Sequence, residues 1–300
     1  MTTPRVTLVI VTWNQEEIVR RCLLSIREHV DSLSHEVIAV DNGSTDGTRE
    51  MILSEFPEVR VIAKQDNHGY GQGLNEGMRQ ARGRYIFLLN SDTVLLPGTV
   101  NTLTTFMDAH PDAGALGCRL YADSSCSKTQ PSAFRVYPTP WNDALDRMIG
   151  DRMRRSFPHS SLVRKLTTRW DRQCSGGEHP QEVAFIVGAA MMTRQEVVQE
   201  GCFFDEQFHM FFEETDWCRR LRRRGWNIYF IPNAAMIHLH GGSYSTPQLR
   251  CARQRHYHDS YLKYLRKYEG WLAVRVAHVL HTLSSARSGA ARRHREMVEH

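Results

Sequence analysis

The sequence lacks the marks of several protein classes. Its seven cysteines contain no C-x-x-C pair, which argues against a zinc site or a disulfide framework and is typical of a reducing cytoplasm. No apolar run approaches the ~20 residues that a membrane-spanning helix needs. No signal-peptide layout precedes the strand-like run at residues 5–11. We therefore expect a cytoplasmic protein.

Strong charge of one sign is also absent. The net charge is +5 over 300 residues, which suits anionic small ligands and anionic lipid headgroups as well as nucleic acid, and so decides little. At this length the chain can form one large α/β domain or two smaller ones. The function must therefore be sought in the motifs.

Strand-like and helical segments alternate through the N-terminal half. Apolar or β-branched runs occupy residues 6–11, 36–40, 59–62 and 85–89, and helical spacing occupies 16–29 and 49–56. Strand, helix, strand at this rhythm predicts a parallel sheet with helices on both faces. A polar loop follows each strand. Because ligands bind at the carboxyl ends of strands in open α/β sheets, these loops should share one functional edge.

The junction that ends at Asp92 is the most informative of these strand ends. Five apolar residues, Tyr85 to Leu89, predict a strand buried on both faces that stops at Asn90-Ser91-Asp92. Because burying a carboxylate is costly, Asp92 should lie at the open end of the strand, where a metal or ligand compensates it. The alternative is a capped turn, since Asn, Ser and Asp all cap helices well.

The earlier loops carry residues that suit a nucleotide. Trp13 offers a planar contact for a base or ribose, and Asp41 offers an acceptor for a base N–H or a ribose hydroxyl. The glycines in 69–77 remove side chains where backbone approaches a ligand closely. They do not form a G-x-G-x-x-G fingerprint after the first strand, which disfavours a dinucleotide site. For residues 41–48 the alternative is an Asx-rich turn and helix cap.

An acidic cluster marks the second half of the chain. Glu213, Glu214 and Asp216 fall within one turn of a predicted helix. Crowding of like charges there would raise at least one carboxyl pKa, as a general base near neutral pH requires. The alternative is ordinary helix design, with an acidic first turn and a basic end favoured by the helix dipole.

Two histidines follow a further strand-like region. Residues 228–239 predict a strand, a turn at the Pro-Asn step and a second strand, and alternation places His238 and His240 on one face. A neutral imidazole can complete a metal shell or donate to a diphosphate oxygen, or it can be structural. Residues 183–192 predict one more buried strand, interrupted by Gly-Ala-Ala.

In their order along the chain, these motifs resemble the family 2 glycosyltransferases, most of all the bacterial rhamnosyltransferase-type branch. Each motif is weak alone, but order and rough spacing agree over about residues 5–246. The segments that carry the resemblance are 11–14 (VTWN), 40–48 (VDNGSTDGT), 67–75 (NHGYGQGLN), 89–92 (LNSD), 187–191 (VGAAM), 203–206 (FFDE), 211–220 (FFEETDWCRR), 225–226 (GW) and 238–243 (HLHGGS).

The resemblance implies a GT-A fold, an α/β Rossmann-like domain over residues 1–247 with a mainly parallel central sheet and helices on both faces. Its nucleotide-sugar-binding half would cover about 1–120 and its acceptor half about 121–247. The implied reaction is inverting transfer of rhamnose or a related hexose from a nucleotide-diphosphate sugar to a hydroxyl of a cell-envelope polysaccharide or glycolipid. The implied cofactor is Mg²⁺ or Mn²⁺.

The resemblance also implies roles for single residues. Glu214 matches the family's general base, with Asp216 and Glu213 as fallback candidates. Asp92 matches the last carboxylate of the D-x-D metal motif, whose first position is Asn90 here. The residues expected to bind the nucleotide-sugar are Thr12, Trp13, Asn14, Asp41, Gly69, Asn75, Asn90 and Ser91, and those expected to hold the metal are Asp92 with His238 or His240, the former favoured.

Two other functions fit parts of the pattern. A sugar-phosphate nucleotidyltransferase would require a Gly-rich loop bearing Arg or Lys right after the first strand, and residues 11–15 lack one. A non-catalytic nucleotide-sugar-binding protein on the same fold gains support from Asn90 in place of an acid. The joint presence of the other matched acids and histidine argues against it.

The last segment, residues 248–300, is basic and has helical character. Amphipathic helices of this kind dock on their own domain, pair subunits into a homodimer or lie on an anionic membrane. A lipid-linked acceptor would favour the last of these, with the protein peripheral at the inner face of the plasma membrane. No nucleic-acid partner is expected.

Overall fold

The structure is a computed structural model that describes residues 3–30, 33–141, 156, 160, 173–239 and 247–280, with backbone alone at 173 and 247–250. The chain forms two compact units. The first comprises Met1–Tyr137 and Gln173–Tyr257, and the second comprises Pro138–Arg172 and His258–His300. All the strands named below belong to the first unit.

Strands and helices alternate through the first 110 residues. The strands are β1 (Val6–Thr12), β2 (His35–Asp41), β3 (Arg60–Ala63), β4 (Tyr85–Asn90), β5 (Thr93–Leu95), β6 (Ala113–Tyr121), β7 (Thr129–Gln130), β8 (Ala133–Phe134), β9 (Gln173–Cys174), β10 (Gln181–Glu182), β11 (Phe185–Ile186), β12 (Ala190–Arg194) and β13 (Asn227–His238). The helices are α1 (Glu16–His29), α2 (Thr48–Glu55), α3 (Tyr70–Gln80), α4 (Thr99–Ala109), α5 (Gln195–Gln199), α6 (Glu213–Arg223) and α7 (Pro247–Tyr268).

Ten strands form one sheet in the order β10-β13-β6-β12-β4-β1-β2-β3, with β5 paired to β13 and β7 to β6. The half that contains β4, β1, β2 and β3 is parallel. Its register places Asp41 beside Thr12 and Asn90 beside Val11, so three polar strand ends meet at one edge. The predicted α/β class, the mainly parallel sheet and the shared edge are confirmed.

Strand β4 is buried on both faces, as the apolar run at residues 85–89 predicts. All five of these residues are fully buried, and alternate side chains enter the two different cores of the sheet. Phe87 packs in the core that includes α1 and α4, whereas Leu88 packs in the core that includes α3 and α6. Each such side chain contributes about 1.5–3 kcal/mol of hydrophobic stabilisation. The strand is thereby fixed in place and presents its polar end at the edge.

Two predicted strands of the second half were wrong in detail. Residues 227–238 form the single strand β13, and the predicted turn is a register shift between Ile231 and Ala235 in its pairing with β6. Pro232 lacks an N–H donor, and a bulge accommodates it without ending the strand. Residues 183–192 form two strands in different sheets, because β11 pairs with β8 while β12 lies between β4 and β6.

The C-terminal segment is helical where it is described, as predicted. Helix α7 ends at Tyr268, and residues 270–280 are again helical. Residues 281–300 of the predicted tail lie outside the described residues. Within the part of the chain that the structure describes, no helix is both long and apolar enough to span a bilayer.

Candidate active site

A cavity of about 660 Å³ opens at the edge where β1 and β4 end. It is lined from both halves of the sequence, since the strand-end loops, the start of α6, the end of β13 and one face of α7 all contribute. The lining residues include Thr12, Trp13, Gln15, Asn42, Asn67, Gly69, Tyr70, Asn90, Ser91, Asp92, Gly188, His209, Glu213, Glu214, His238, Arg253 and His256. All of them belong to the first compact unit.

Asp92 and His238 meet on one wall of this cavity. Asp92 directly precedes β5, which pairs antiparallel with the end of β13 so that Thr93 lies opposite His238. The Leu239 N–H donates to the Asp92 carbonyl at 2.9 Å. As a result, His238 Nε2 lies 3.3 Å from Asp92 Oδ1, and both side chains are largely buried. Two short strands thus hold one carboxylate and one imidazole together.

The donor set on this wall fits a hard divalent cation that is shared with a ligand. Mg²⁺ takes one or two protein carboxylates and completes its shell with water and phosphate oxygens. Asn90 adds an amide oxygen, because its Oδ1 is buried and has no hydrogen-bond partner among the described residues. Within those residues, no group of three or more His, Cys, Asp and Glu side chains is placed to bind a metal. The wall is therefore a partial site that a diphosphate could complete. His240 lies outside the described residues.

The acidic cluster lies at the first turn of α6, and two of its three members reach the cavity. Glu213 is 4 % exposed, and its Oε2 has no hydrogen-bond partner among the described residues. Burial, and next the charge of Glu214, raise the pKa of Glu213 well above its usual range. Burial also raises the pKa of Glu214 to about 7. A carboxylate with such a pKa can accept a proton near neutral pH.

On one side, the Glu214 side chain faces Gly188, which offers only backbone. A Cβ added to Gly188 would lie 3.6 Å from the Cβ of Glu214 and 3.9 Å from its carboxyl carbon. The carbonyl of Gly188 accepts a hydrogen bond from the Tyr70 hydroxyl at 3.1 Å. Because Gly188 carries no side chain, no group of this residue packs against the carboxyl of Glu214.

Asp216 lies away from the cavity. It is fully buried, and its Oδ2 accepts a hydrogen bond from Arg220 Nε at 2.7 Å within α6. Two residues along a helix turn the side chain by about 200°, which carries Asp216 to the opposite face from Glu214. The structure therefore places Asp216 in an ion pair and leaves Glu213 and Glu214 to line the cavity.

Several buried acceptors on the cavity wall have no hydrogen-bond partner within the described residues. A buried polar atom without a partner costs about 1–3 kcal/mol, and native proteins carry few of them. Their concentration at one cavity indicates that a ligand supplies the missing partners. The atoms are Thr12 Oγ1, Asn42 Oδ1, Asn90 Oδ1 and Glu213 Oε2.

Asn42 is a lining residue that the sequence interpretation missed. Its Nδ2 donates to the Gly69 carbonyl at 3.1 Å, which fixes Oδ1 as the free end of the amide. Gly69 holds this carbonyl with φ +102°, and a Cβ there would lie 2.5 Å from the carbonyl oxygen of His209. The glycine is therefore required by a close approach of backbone to backbone. Asn42 lies within the motif at residues 40–48, where the family resemblance points to its neighbour Asp41 instead.

Asp41 and two other predicted nucleotide-binding residues do not line the cavity. Asp41 is buried, and its Oδ1 accepts from the Ser44 N–H at 3.1 Å, in the manner of an Asx turn. Asn14 has φ 52°, and its Oδ1 accepts from the Thr45 N–H at 2.7 Å. Asn75 exchanges two hydrogen bonds with the backbone of Phe204. These contacts shape the loops around the cavity.

The other predicted residues do meet at the cavity. Ser91 donates a hydrogen bond to Gln15, which ties the end of β4 to the start of α1. Trp13 keeps 37 % of its surface exposed beside them. The predicted residues that line the cavity are Thr12, Trp13, Gly69, Asn90, Ser91, Asp92, Glu213, Glu214 and His238.

Three basic side chains of the lining had no signal in the sequence. His209 precedes the acidic cluster, and its ring stacks on that of His256 with centroids 5.1 Å apart. Arg253 lies over the ring of Phe211 at 5.7 Å. Both α7 residues come from the segment that the sequence assigned only to a tail, so they reach the cavity through the tertiary fold alone.

Known proteins are similar to this chain in sequence and in fold. The family model described as "Glycosyl transferase family 2" matches residues 7–167, and the model "Glycosyl transferase family group 2" matches residues 149–291. The chain is 27% identical over 247 residues to an N-acetylglucosaminyl-diphospho-decaprenol L-rhamnosyltransferase of Mycobacterium tuberculosis, covering 78% of this chain and 76% of that protein.

Solved structures agree on the fold. The mannosyltransferase PcManGT from Pyrobaculum calidifontis, in complex with GDP-Man and Mn²⁺, superposes with a TM-score of 0.56 at 17% identity, over 97% of this chain and 81% of the other. S. aureus TarS in complex with UDP-GlcNAc gives a TM-score of 0.52 at 16% identity, over 78% of this chain. The match spans about three fifths of the TarS chain, 58%. At such identities the likeness concerns the fold.

The family match covers more than half of the chain, and it agrees with the order of motifs, the sheet and the cavity. It favours sugar transfer over the nucleotidyltransferase and binding-protein alternatives. The chain belongs to glycosyl transferase family 2, and it is a glycosyltransferase with the GT-A type of α/β fold.

Proposed function

We propose that this enzyme transfers rhamnose or a related hexose, with inversion, from a nucleoside-diphosphate sugar to a hydroxyl of a lipid-linked saccharide of the cell envelope. The observation that carries the proposal is the meeting, in one cavity, of the Asp92–His238 pair and the Glu214 carboxyl whose pKa is about 7. The similarity to the mycobacterial rhamnosyltransferase supports the choice of sugar and acceptor.

The diphosphate of the donor would lie at the Asp92–His238 wall. Asp92, His238 and the side-chain amide oxygen of Asn90 would hold Mg²⁺ or Mn²⁺ there. A divalent cation supplies stabilisation of the negative charge that grows on the leaving diphosphate as the glycosidic bond breaks. The solved mannosyltransferase in complex with GDP-Man and Mn²⁺ supports a divalent cation together with a nucleotide-sugar.

The nucleoside would bind beside Trp13, Thr12 and Asn42. The indole of Trp13 offers an apolar face for the base or ribose. The buried side-chain oxygen Oδ1 of Asn42 needs a donor such as a base N–H or a ribose hydroxyl. In this proposal Asp41 acts through the turn that it closes with Ser44.

Glu214 would take the proton from the acceptor hydroxyl as that oxygen attacks the anomeric carbon. A base on the acceptor side, separate from the leaving diphosphate, gives attack from the opposite face and therefore inversion. Glu213 shares the buried site and stays protonated when Glu214 ionises, because the Glu214 charge raises its pKa further. A neutral Glu213 can donate a hydrogen bond to a sugar hydroxyl.

The test is a transfer assay with a panel of nucleoside-diphosphate sugars, Mn²⁺ and N-acetylglucosaminyl-diphospho-polyprenol as the acceptor. We expect one donor to be consumed, and we expect the product, analysed by NMR, to have the opposite anomeric configuration from the donor. Retention of configuration, or the absence of transfer from every donor to this acceptor, would contradict the proposal.

We also propose that the C-terminal helical segment contacts an anionic membrane, where a lipid-linked acceptor is found. In residues 270–280, Trp271, Leu272 and Val279 are 68 %, 57 % and 58 % exposed, and Arg275 lies over the Trp271 ring at 5.4 Å. Exposed aromatic and aliphatic groups beside a cation suit the interface of anionic lipids.

Vesicle co-sedimentation tests this contact. The wild-type chain should pellet with phosphatidylglycerol vesicles more than with phosphatidylcholine vesicles, and the double variant Trp271→Ser/Leu272→Ser should pellet less. Equal pelleting of both proteins would contradict membrane contact. Sedimentation velocity of the same two proteins tests the homodimer alternative, which predicts that the double variant dissociates.

A further inference from the structure

We infer that Gln130 is a positioning residue that fixes the tautomer of His238, with its ring proton on Nδ1 and the lone pair of Nε2 facing Asp92. This inference rests on the proposed metal and diphosphate wall, and it gives a role to a residue that no motif singled out. Gln130 is 7 % exposed and lies on the two-residue strand β7, 108 positions before the histidine that it contacts.

The carboxamide of Gln130 makes contacts at both ends. Its Nε2 donates to the backbone carbonyl of His238 at 2.7 Å and lies 3.4 Å from the carbonyl of Tyr121. Its Oε1 lies 3.2 Å from His238 Nδ1. The opposite orientation would place the amide oxygen against two carbonyl oxygens. The two backbone carbonyls therefore determine which end of the amide faces the imidazole ring.

The protonation of the ring follows from this orientation. An amide oxygen accepts hydrogen bonds and cannot donate them, so His238 must carry a proton on Nδ1 to bond with it. In a neutral ring, the lone pair then resides on Nε2, the atom that lies 3.3 Å from Asp92 Oδ1. Two acceptors at this distance require a proton or a cation between them. The contact from Gln130 thus prepares the neutral ring as a metal ligand.

The strand pairing explains how a distant glutamine reaches this position. Strand β7 pairs with β6, with Gln130 opposite Leu120, and β6 runs parallel to β13. The Ser132 hydroxyl donates to the Gln130 carbonyl at 3.0 Å and accepts from the Leu120 N–H at 3.0 Å. The backbone of Gln130 is therefore fixed independently of its side chain, which allows the side chain to be changed alone.

A purely structural role for Gln130 makes a different prediction from a positioning role. Gln130→Met removes the donor to the His238 carbonyl and the acceptor for Nδ1–H. Gln130→Glu keeps an acceptor for Nδ1–H and loses the donor. If the amide only joins β7 to β13, both variants should behave alike. If it sets the tautomer, Gln130→Glu should keep the proton of His238 on Nδ1, although its second oxygen faces two backbone carbonyls and should lower the stability of the protein. Ser132→Ala is a matched control that loosens the same strand without touching His238.

The experiment combines two measurements on the full chain. Imidazole tautomers are read by ¹⁵N NMR of histidine-labelled protein with Mg²⁺ and a nucleoside diphosphate, which supply the cation between Nε2 and Asp92, and the His238 signal is assigned by its loss in His238→Ala. Affinity for Mn²⁺ in the presence of a nucleoside diphosphate is read by calorimetry. We expect Nδ1–H in the wild type, in Gln130→Glu and in Ser132→Ala. We expect Nε2–H to rise in Gln130→Met, with Mn²⁺ affinity lowered about 10- to 100-fold.

The results that would overturn the role of Gln130 differ from the result that would overturn the proposed metal wall. A wild-type His238 that carries its neutral proton on Nε2 would overturn the inference whatever metal binds. Wild-type Mn²⁺ binding with Gln130→Met unchanged, or with Gln130→Glu equally weakened, would also overturn it and would leave the proposed function intact. A wild-type protein that binds no Mn²⁺ would overturn the proposed metal wall itself, and this inference with it.

Discussion

Two walls of one cavity treat their carboxylates in opposite ways. Asp92 is 15 % exposed at its side chain, and its Oδ1 lies 3.3 Å from His238 Nε2, so a carboxylate and an imidazole face the same point. Glu213 is buried and its neighbour Glu214 is half-buried at the start of α6, and desolvation raises both pKa values. Under the proposed function, the first wall would hold a cation and the second would hold a proton.

The largest expected effect comes from removing one wall at a time. Glu214→Gln should lower kcat by about 10²- to 10⁴-fold, because the variant cannot take a proton. Its Mn²⁺ affinity in the presence of nucleoside diphosphate, measured by calorimetry, should equal that of the wild type. Asp92→Ala should lose that Mn²⁺ binding.

Glu196→Gln is the matched control, since Glu196 is exposed on α5 and does not line the cavity. It should keep both properties. Loss of Mn²⁺ binding in Glu214→Gln, or its retention in Asp92→Ala, would break the division between the two walls.

A smaller effect concerns stability and pH. The native state binds the Glu213 proton more tightly than the unfolded state, because its pKa is raised on folding. Stability therefore falls as pH rises from the ordinary glutamate pKa towards the raised value. Glu213→Gln removes this pH-dependent loss of stability, because the amide does not ionise. The Tm of the variant should exceed that of the wild type by about 2–4 °C near pH 8 and by less near pH 4. Calorimetric scans at both pH values measure it, and an equal Tm difference at both would count against a buried proton on Glu213.

The smallest expected effect comes from α7. Arg253 and Arg255 are both exposed arginines on this helix, but only Arg253 lines the cavity. Arg253→Ala should raise the KM for the donor about three- to tenfold, as for loss of a partly exposed contact to a phosphate, whereas Arg255→Ala should leave it unchanged. Steady-state kinetics at saturating acceptor measures both. Equal effects of the two changes would show that the place of Arg253 in the cavity lining gives it no specific part in donor binding.

Features of the fold and site that depend on one short segment could be predicted from the sequence. The apolar run 85–89 and its polar end are contiguous, and they correctly predicted strand β4 and the place of Asp92 at its open edge. The separation of Asp216 from Glu214 could also have been deduced, because a step of two residues on a helix reverses the face. The family resemblance identifies the three acids only as a group, whereas the helical period separates Asp216 from Glu214.

Other parts of the site depend on information that no short segment contains. Asp41 and Asn42 are consecutive, and two contacts decide which of them faces the cavity. Asp41 closes an Asx turn with Ser44, and Asn42 donates to the carbonyl of Gly69. Gln130 meets His238 across 108 residues through the pairing of three strands. Arg253 and His256 reach the cavity from a helix whose sequence indicates only a basic amphipathic tail.

The pH dependence of sugar transfer tests the central claim most directly. In the wild-type enzyme at saturating Mn²⁺, kcat/KM reports groups of the free enzyme, and it should fall tenfold per pH unit below a midpoint of about 7 as Glu214 takes up its proton. Glu213→Gln should keep that midpoint. A profile that stays flat down to about pH 5, near the ordinary pKa of a glutamate, would contradict Glu214 as the base.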